Sequence, residues 1–391
     1  MIILRCKIHL CFEEGNCDVV AKNGGTYIMT VEQIYAEVLE KLAKTAPVIG
    51  STFPHVGREG KWDDMEQMDI TWWTNGYWAG MLWQMYDITG NEMFRSIAEE
   101  CEDKLDRALD VFKGLHHDVG FMWGDSAVAN YTLTGNERSL NRAKHAATLL
   151  AGRFNLKWGA IMSWPGEEIG KSIIDNMMNL RLLFWAARET KDMRFKHVAI
   201  AHAEKMLTTL IRDNGTAYHM CEFATETGEF VQYLGGQGYS PDSQWSRGQA
   251  WAVYGYTRMY ENTGDKKYLE TARKCADNFI EKSNCKTPAW DFCLPDEEEF
   301  IPDTSAGACA ASAFVTLSKY VENGEKYINA AKEILTDMYE NYKSDGEVLL
   351  TGGTGYKPKN KNVNVGLIYG DFYFLEALRK LCDKNYKNIY A

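Results

Sequence analysis

Asp175 stands in Ile173-Ile174-Asp175-Asn176-Met177-Met178-Asn179-Leu180, an acid inside an apolar run that opens a helix. Burial disfavours the charged form of a carboxyl group and raises its pKa, as a general acid at neutral pH requires. The positive end of the helix dipole pulls the other way, and an N-cap without chemistry is the alternative role. Asp118 follows His116-His117 and precedes Val119-Gly120-Phe121-Met122. It is either a second working acid or a loop residue that caps a helix or pairs with a neighbouring His. Two adjacent His side chains are expected to diverge, and no third ligand is evident, so no metal is expected. Arg247 lies in Gln244-Trp245-Ser246-Arg247-Gly248-Gln249-Ala250-Trp251. A guanidinium beside Gly and two Trp suits a sugar carboxylate, while a salt bridge closing one end of the fold is its other reading. Trp73 and Trp164 are candidates for stacking, whereas Trp72 and Trp78 fit core packing better. Gly235-Gly236-Gln237-Gly238 and Thr351-Gly352-Gly353-Thr354-Gly355 match neither a dinucleotide fingerprint nor a P-loop. Metalloprotease and nucleophile-elbow motifs are absent too.

The elements that must hold these residues repeat. From Val31 onward an aromatic-rich helix leads to a short turn and then to an amphipathic helix. The turns are Thr89-Gly90-Asn91, Thr134-Gly135-Asn136, Thr263-Gly264-Asp265 and Asn323-Gly324, with Thr190-Lys191-Asp192 as a degenerate copy. Gly ends one helix in the left-handed conformation and Asn or Asp caps the next. After the turn, Ile97, Cys101, Leu105, Ala108 and Phe112 share one face, as do Leu269, Ala272, Ala276 and Phe279. The preceding helices, Tyr77 to Ile88, Leu180 to Ala187, Ala250 to Tyr260 and Ala308 to Tyr320, are apolar all round and so are expected to be buried. Buried helices inside and amphipathic ones outside predict an all-α (α/α)6 barrel of six hairpins, with an open solenoid as the alternative. A first pair near 31–88, five turns and a closing helix at Gly370 to Leu381 make up the six. A small β-hairpin is expected near 218–234. The Trp-, His-, Asp- and Gly-rich links His55 to Thr71, His116 to Ser126, Gly159 to Asn176, His219 to Arg247, Trp290 to Ser305 and Thr351 to Asp371 are expected to gather at one end.

Bulk properties narrow the partners. The chain has 391 residues, 45% hydrophobic and 13% aromatic, so it can bury a large core and still offer rings to a ligand. A net charge of -11 argues against nucleic acid but not against a small anion held by a local cation. Ten cysteines without a C-x-x-C pair read as reduced thiols, and with no membrane-length apolar run or signal peptide they predict a cytoplasmic protein. Residues 1–28 lack helical period and hold three of the ten Cys. They are expected to be a non-native or disordered leader, with translation starting at Met29 and one catalytic domain over 29–391. An N-terminal mass from the native host that retained residue 1 would contradict this.

Together, Trp73-Thr74-Asn75-Gly76-Tyr77-Trp78-Ala79-Gly80-Met81-Leu82-Trp83, HHDVGF from His116, IIDNMMNL from Ile173, Tyr218-His219, WSRGQAW from Trp245 and GDFYFLEAL from Gly370 resemble the unsaturated glucuronyl hydrolases, family 88 of the glycoside hydrolases. The ordered set spans nearly all the chain after Met29. The resemblance implies an (α/α)6 barrel, no metal or organic cofactor, and removal of a 4,5-unsaturated uronic acid from lyase-made glycosaminoglycan fragments. It assigns Asp175 as general acid and base and Asp118 as the second essential acid. Trp73, His117, Trp164, His219, Gln237, Arg247 and Trp251 then line the sugar pocket. Gly236 replaces a His that some relatives carry, so that contact is missing. Lys361 matches a lysine that holds a sulfate in some relatives, whereas the accompanying serines are replaced by Tyr356 and Lys359. Lys357, Lys359 and Lys361 nevertheless form a cationic patch, unless the stretch is only a solvated loop. Other readings are an unsaturated rhamnogalacturonyl hydrolase of family 105 acting on pectin fragments, a non-catalytic helical-repeat binding protein, and an epimerase or isomerase that uses a His pair.

Overall fold

Gly90, Gly135 and Gly264 take φ values of 64°, 72° and 71°, where a side chain is strained, and each ends a helix. The next residues, Asn91, Asn136 and Asp265, accept backbone N–H groups of the following helix through their side chains. Lys191 makes the same left-handed turn at φ 59° before the cap Asp192. Asn323-Gly324 departs from the theme: Gly324 is the first helical residue and Asn323 gives no side-chain cap.

The protein, seen in a computed structural model, is described over residues 29–390; the leader expected in 1–28 lies outside the described residues. Its helices are α1 (Val31–Ile49), α2 (Tyr77–Thr89), α3 (Glu92–Val111), α4 (Val119–Asp125), α5 (Ala127–Thr134), α6 (Glu137–Gly152), α7 (Asn176–Thr190), α8 (Met193–Leu210), α9 (Ser246–Thr263), α10 (Lys266–Ser283), α11 (Thr304–Leu317), α12 (Gly324–Tyr342) and α13 (Ile368–Cys382). The inner ring runs α2, α4–α5, α7, α9, α11, α13 and back to α2, each packed on the next. Outside it lie α3, α6, α8, α10, α12 and α1, each against its inner partner. Every residue of α11 is buried, as its unbroken apolar and small-residue sequence requires. The amphipathic α3 instead buries Phe94, Ala98, Cys101, Leu105 and Ala108. Phe112, expected on that face, caps the helix and is 62% exposed.

The (α/α)6 barrel is therefore as expected, but its sixth hairpin is not. The pair near 31–88 does not form as one unit: α1 packs mainly on α13 and α12, so the two ends of the described chain close the ring. The segment His116 to Ser126 also differs from expectation, because it contains α4 rather than loop alone.

Short strands stitch the links at one end. β1 (Val56–Arg58) pairs with β2 (Lys61–Trp62) and β8 (Gly366–Leu367), with Val56 opposite Leu367. β3 (Phe154–Asn155) pairs with β4 (Ala160–Ile161). The hairpin expected near 218–234 is β6 (Met220–Phe223) with β7 (Phe230–Leu234), and β5 (Lys171–Ile173) adds to its other edge. Ile173 faces Met220, so this small sheet fixes the backbone immediately before Asp175.

Candidate active site

β5 delivers the chain to α7, and Ile174 N–H donates to the His219 carbonyl at 3.0 Å. Asp175 therefore enters α7 at the N-cap position, yet its side chain caps nothing. Its Oδ2 is buried without a hydrogen-bond partner and lies 3.8 Å from His219 Nε2. Burial, reinforced by the charge of Asp118, pushes this carboxyl up to about 7 against the opposing pull of His117 and Arg247.

Asp118 occupies the N-cap position of α4 and likewise makes no side-chain cap. Three groups face it instead. His117 Nε2 is 3.0 Å from Oδ1. His116 Nδ1 is 3.6 Å from Oδ2. Asn179 Nδ2 donates to Oδ1 at 3.0 Å. Burial would raise the Asp118 carboxyl, but His117, His116 and Asn179 outweigh it and hold it below its ordinary value. The two acids are thus driven in opposite directions, one toward a proton and one away.

The adjacent histidines do not diverge, contrary to the sequence expectation. Their ring centroids are 5.0 Å apart, and their nitrogens converge on Asp118, with one ligand atom from each of the three residues within 4.8 Å. His117 Nδ1 faces the Ser163 carbonyl at 2.8 Å, so this nitrogen bears a proton and fixes the ring. His219 has a choice. Its Nδ1 lies 3.1 Å from the Gly235 carbonyl and 3.0 Å from Gln237 N–H, and one tautomer serves only one of them. When Nδ1 accepts from Gln237, the proton moves to Nε2 and faces Asp175.

Asn179, which the sequence did not single out, ties the acids together. Besides Asp118, its Nδ2 donates to the Asp175 carbonyl at 3.2 Å, and its Oδ1 accepts Phe121 N–H at 2.8 Å. The available signal was its spacing, four residues after Asp175 and so on the same helical face. Asp303, also missed, pairs with Arg247 at 2.5 Å while capping α11. Arg247 donates further to the carbonyls of Thr354 at 2.7 Å and Gly355 at 2.8 Å and to Gln237 Oε1 at 2.8 Å. Both terminal nitrogens of Arg247 are thus engaged by protein groups, and the salt bridge left open by the sequence is present.

The model of Glycosyl Hydrolase Family 88 matches residues 48–386. The chain belongs to glycosyl hydrolase family 88. It is accordingly a glycoside hydrolase. The unsaturated glucuronyl hydrolase of Bacillus sp. (strain GL1) is 32% identical over 364 residues, covering 90% of this chain and 96% of that one. The crystal structure of unsaturated glucuronyl hydrolase from Bacillus sp. GL1 matches with a TM-score of 0.85 at 31% identity, over 90% of this chain and 96% of that chain. The unsaturated chondroitin disaccharide hydrolase of Streptococcus agalactiae serotype III (strain NEM316) is 32% identical, covering 89% of this chain and 90% of its own length. A variant of the Streptococcus agalactiae unsaturated glucuronyl hydrolase, complexed with dGlcA-GalNAc6S, matches with a TM-score of 0.80 at 27% identity, over 95% and 98% of the two chains.

In this family 88 chain the remaining candidates fall at different depths. Trp73 is half-buried and packs on Tyr369 at 4.9 Å and Phe121 at 5.6 Å between centroids. Trp164 sets its edge against His117 at 5.3 Å. Trp251 is 0% exposed and packs against Phe121 and Tyr373, so it offers no face to a ligand in this structure. Gln237 is half-buried beside Arg247 and His219. Lys361 is exposed, with Nζ 5.8 Å from the ring centroid of Trp72, which places the cationic stretch beside the Trp72–Trp73 rim.

Proposed function

We propose that the protein releases the 4,5-unsaturated uronic acid from the non-reducing end of glycosaminoglycan disaccharides and oligosaccharides by hydrating its double bond. The observation that carries this reading is Asp175, a carboxyl whose Oδ2 is buried without a hydrogen-bond partner, raised to about 7 beside an ionised Asp118. The double bond joined to the ring oxygen is an enol ether. Protonated Asp175 gives its proton to carbon 4, and positive charge develops at carbon 5 and the ring oxygen. The resulting Asp175 carboxylate takes a proton from water as the water oxygen bonds to carbon 5. The hemiketal then opens, and the glycosidic bond separates without attack at carbon 1. A single acid that changes role suffices, unlike the two carboxylates that flank an anomeric carbon in ordinary glycosidases.

Asp118 acts through its charge and through Asn179: it keeps a proton on Asp175 and fixes the helix turn that presents it. His219 follows Asp175 by exchanging tautomers as the proton leaves and returns. Trp73 and Trp164 supply apolar faces for the sugar ring. His117 and Gln237 offer polar contacts at its edge, and Arg247 adds positive potential for the uronate carboxylate from behind Gln237. Lys361 lies near a sulfate on the neighbouring sugar, a reading supported by its place beside Trp72. Reduced cysteines support a cytoplasmic location: Cys101, Cys221, Cys275, Cys285, Cys293, Cys309 and Cys382 are all free. Among the described residues no helix is long and apolar enough to cross a membrane.

Purified protein mixed with unsaturated chondroitin and hyaluronan disaccharides should abolish the ultraviolet absorbance of the double bond. Lys361→Ala should weaken KM for the sulfated chondroitin disaccharide alone; equal loss on sulfated and unsulfated sugars would remove Lys361 from sulfate recognition. Absorbance stable on both sugars but lost on pectin-derived fragments would transfer the same chemistry to another substrate.

A further inference from the structure

The C-terminal ends of α7, α9, α11 and α13 gather at one place, away from Asp175 at the start of α7. There they surround a cavity of about 370 Å³. At 1.5 Å per residue, Arg188 lies about 20 Å along α7 from Asp175. Five cations line the cavity: Arg181, Arg188, Arg258, Lys319 and Lys380, against one lining carboxylate, Glu261. Asp125 pairs with Arg181 and Glu376 with Lys380, and Glu261 pairs with Arg258, so five cations meet three carboxylates and two positive charges remain.

Cations near helix C-termini are ordinary, because they offset the negative end of the dipole. Arg181 is not explained that way. It sits in the middle of α7, is 6% exposed, and its Nε and Nη1 have no hydrogen-bond partner. Buried guanidinium donors without acceptors are unfavourable and point to an absent group that accepts. The ring of Tyr390 covers Arg181 at 5.6 Å, and that of Tyr386 lies 5.9 Å from Lys319 Nζ. Arg188 and Lys319 are exposed and stand at the mouth. Unpartnered guanidinium N–H donors at the floor and exposed cations at the rim suit an oxyanion.

We propose that this cavity binds a phosphate or sulfate group, either as the free ion or carried by a small sugar. Arg181 takes the oxyanion at the floor, and Arg188 and Lys319 complete its neutralisation from the rim. The site is separate from the acid pair and stands or falls independently of the hydrolase reading. Calorimetric titration and thermal melts of the full chain with potassium phosphate, potassium sulfate and a hexose 6-phosphate, each against chloride at equal ionic strength, test it. Saturable binding with a rise in Tm is expected. The double variant Arg188→Gln/Lys319→Gln should bind at least tenfold more weakly while retaining turnover of the unsaturated disaccharide. Tighter binding of the hexose phosphate than of inorganic phosphate would identify a sugar ester as the ligand, and equal binding the free ion. Stabilisation no greater than chloride gives, or unchanged affinity in the double variant, would overturn the proposal.

Discussion

Asp175 and Asp118 are both bound to Asn179, yet their environments hold them in opposite protonation states. A group raised to about 7 sets the basic limb of the pH profile: kcat/KM should fall as pH rises through about 7, when the general acid loses its proton. Because the charge of Asp118 helps raise Asp175, Asp118→Asn should move that limb to lower pH as well as reduce the rate. A limb that stays in place would show that the two charges do not interact. Stability carries the same signature. Folded Asp175 holds its proton to higher pH than the unfolded chain does, so its contribution declines as pH rises from about 4 to about 7. Asp175→Asn should therefore raise Tm at pH 8 relative to the parent, with the difference vanishing near pH 4; thermal melts at the two pH values check this. An acid inside Ile173-Ile174-Asp175-Asn176-Met177 was legible because its neighbours announce burial. Asn179 was not, since an amide on an inner helix looks like any other until its partners from α4 are in place. The convergence of His116 and His117 was equally hidden, being set by the Ser163 carbonyl on a distant link.

At the scale of elements, the site depends on how closely α4 and α7 approach. A Cβ added at Gly120 would lie 2.4 Å from Asn179 Oδ1, so only glycine lets the two helices meet there. Gly120→Ala should lower stability by about 1–3 kcal/mol as the clash is relieved by backbone shift. It should also reduce kcat more than it weakens substrate binding, because Asn179 loses its hold on both acids. Chemical denaturation and steady-state kinetics would measure the two effects. The sequence placed Gly90, Gly135 and Gly264 and the caps that follow them correctly because that chemistry is local to three or four residues. It read His116 to Ser126 as a link because α4 is only seven residues long and lacks a capping side chain at Asp118. It left Arg247 open between ligand and salt bridge because Asp303, its partner, is 56 residues away and belongs to α11.

For the whole molecule, closure is the property that periodicity alone does not specify. Six buried helices imply a ring, but which helix completes it depends on contacts between the ends of the described chain, and these are α1 against α13 and α12. Leu42 of α1 is 2% exposed in this contact layer. Leu42→Ala should destabilise the protein by about 2–5 kcal/mol. If the ring unfolds as one unit, tryptophan fluorescence and helical circular dichroism should shift together; separated transitions would show that α1 detaches by itself. Ring closure also explains how links far apart in sequence meet: β1 pairs with β8 across the seam and β5 with β6 beside Asp175. The central claim is that chemistry occurs at the double bond and passes through Asp175. The most direct measurement follows the ultraviolet absorbance of an unsaturated chondroitin disaccharide and the appearance of the freed amino sugar in the same single-turnover reaction, with Asp175→Asn in parallel. The account predicts that absorbance falls before or together with release, and that the variant slows both by about 10²–10⁴-fold. Release of the amino sugar ahead of the absorbance change, or full activity in the variant, would contradict it.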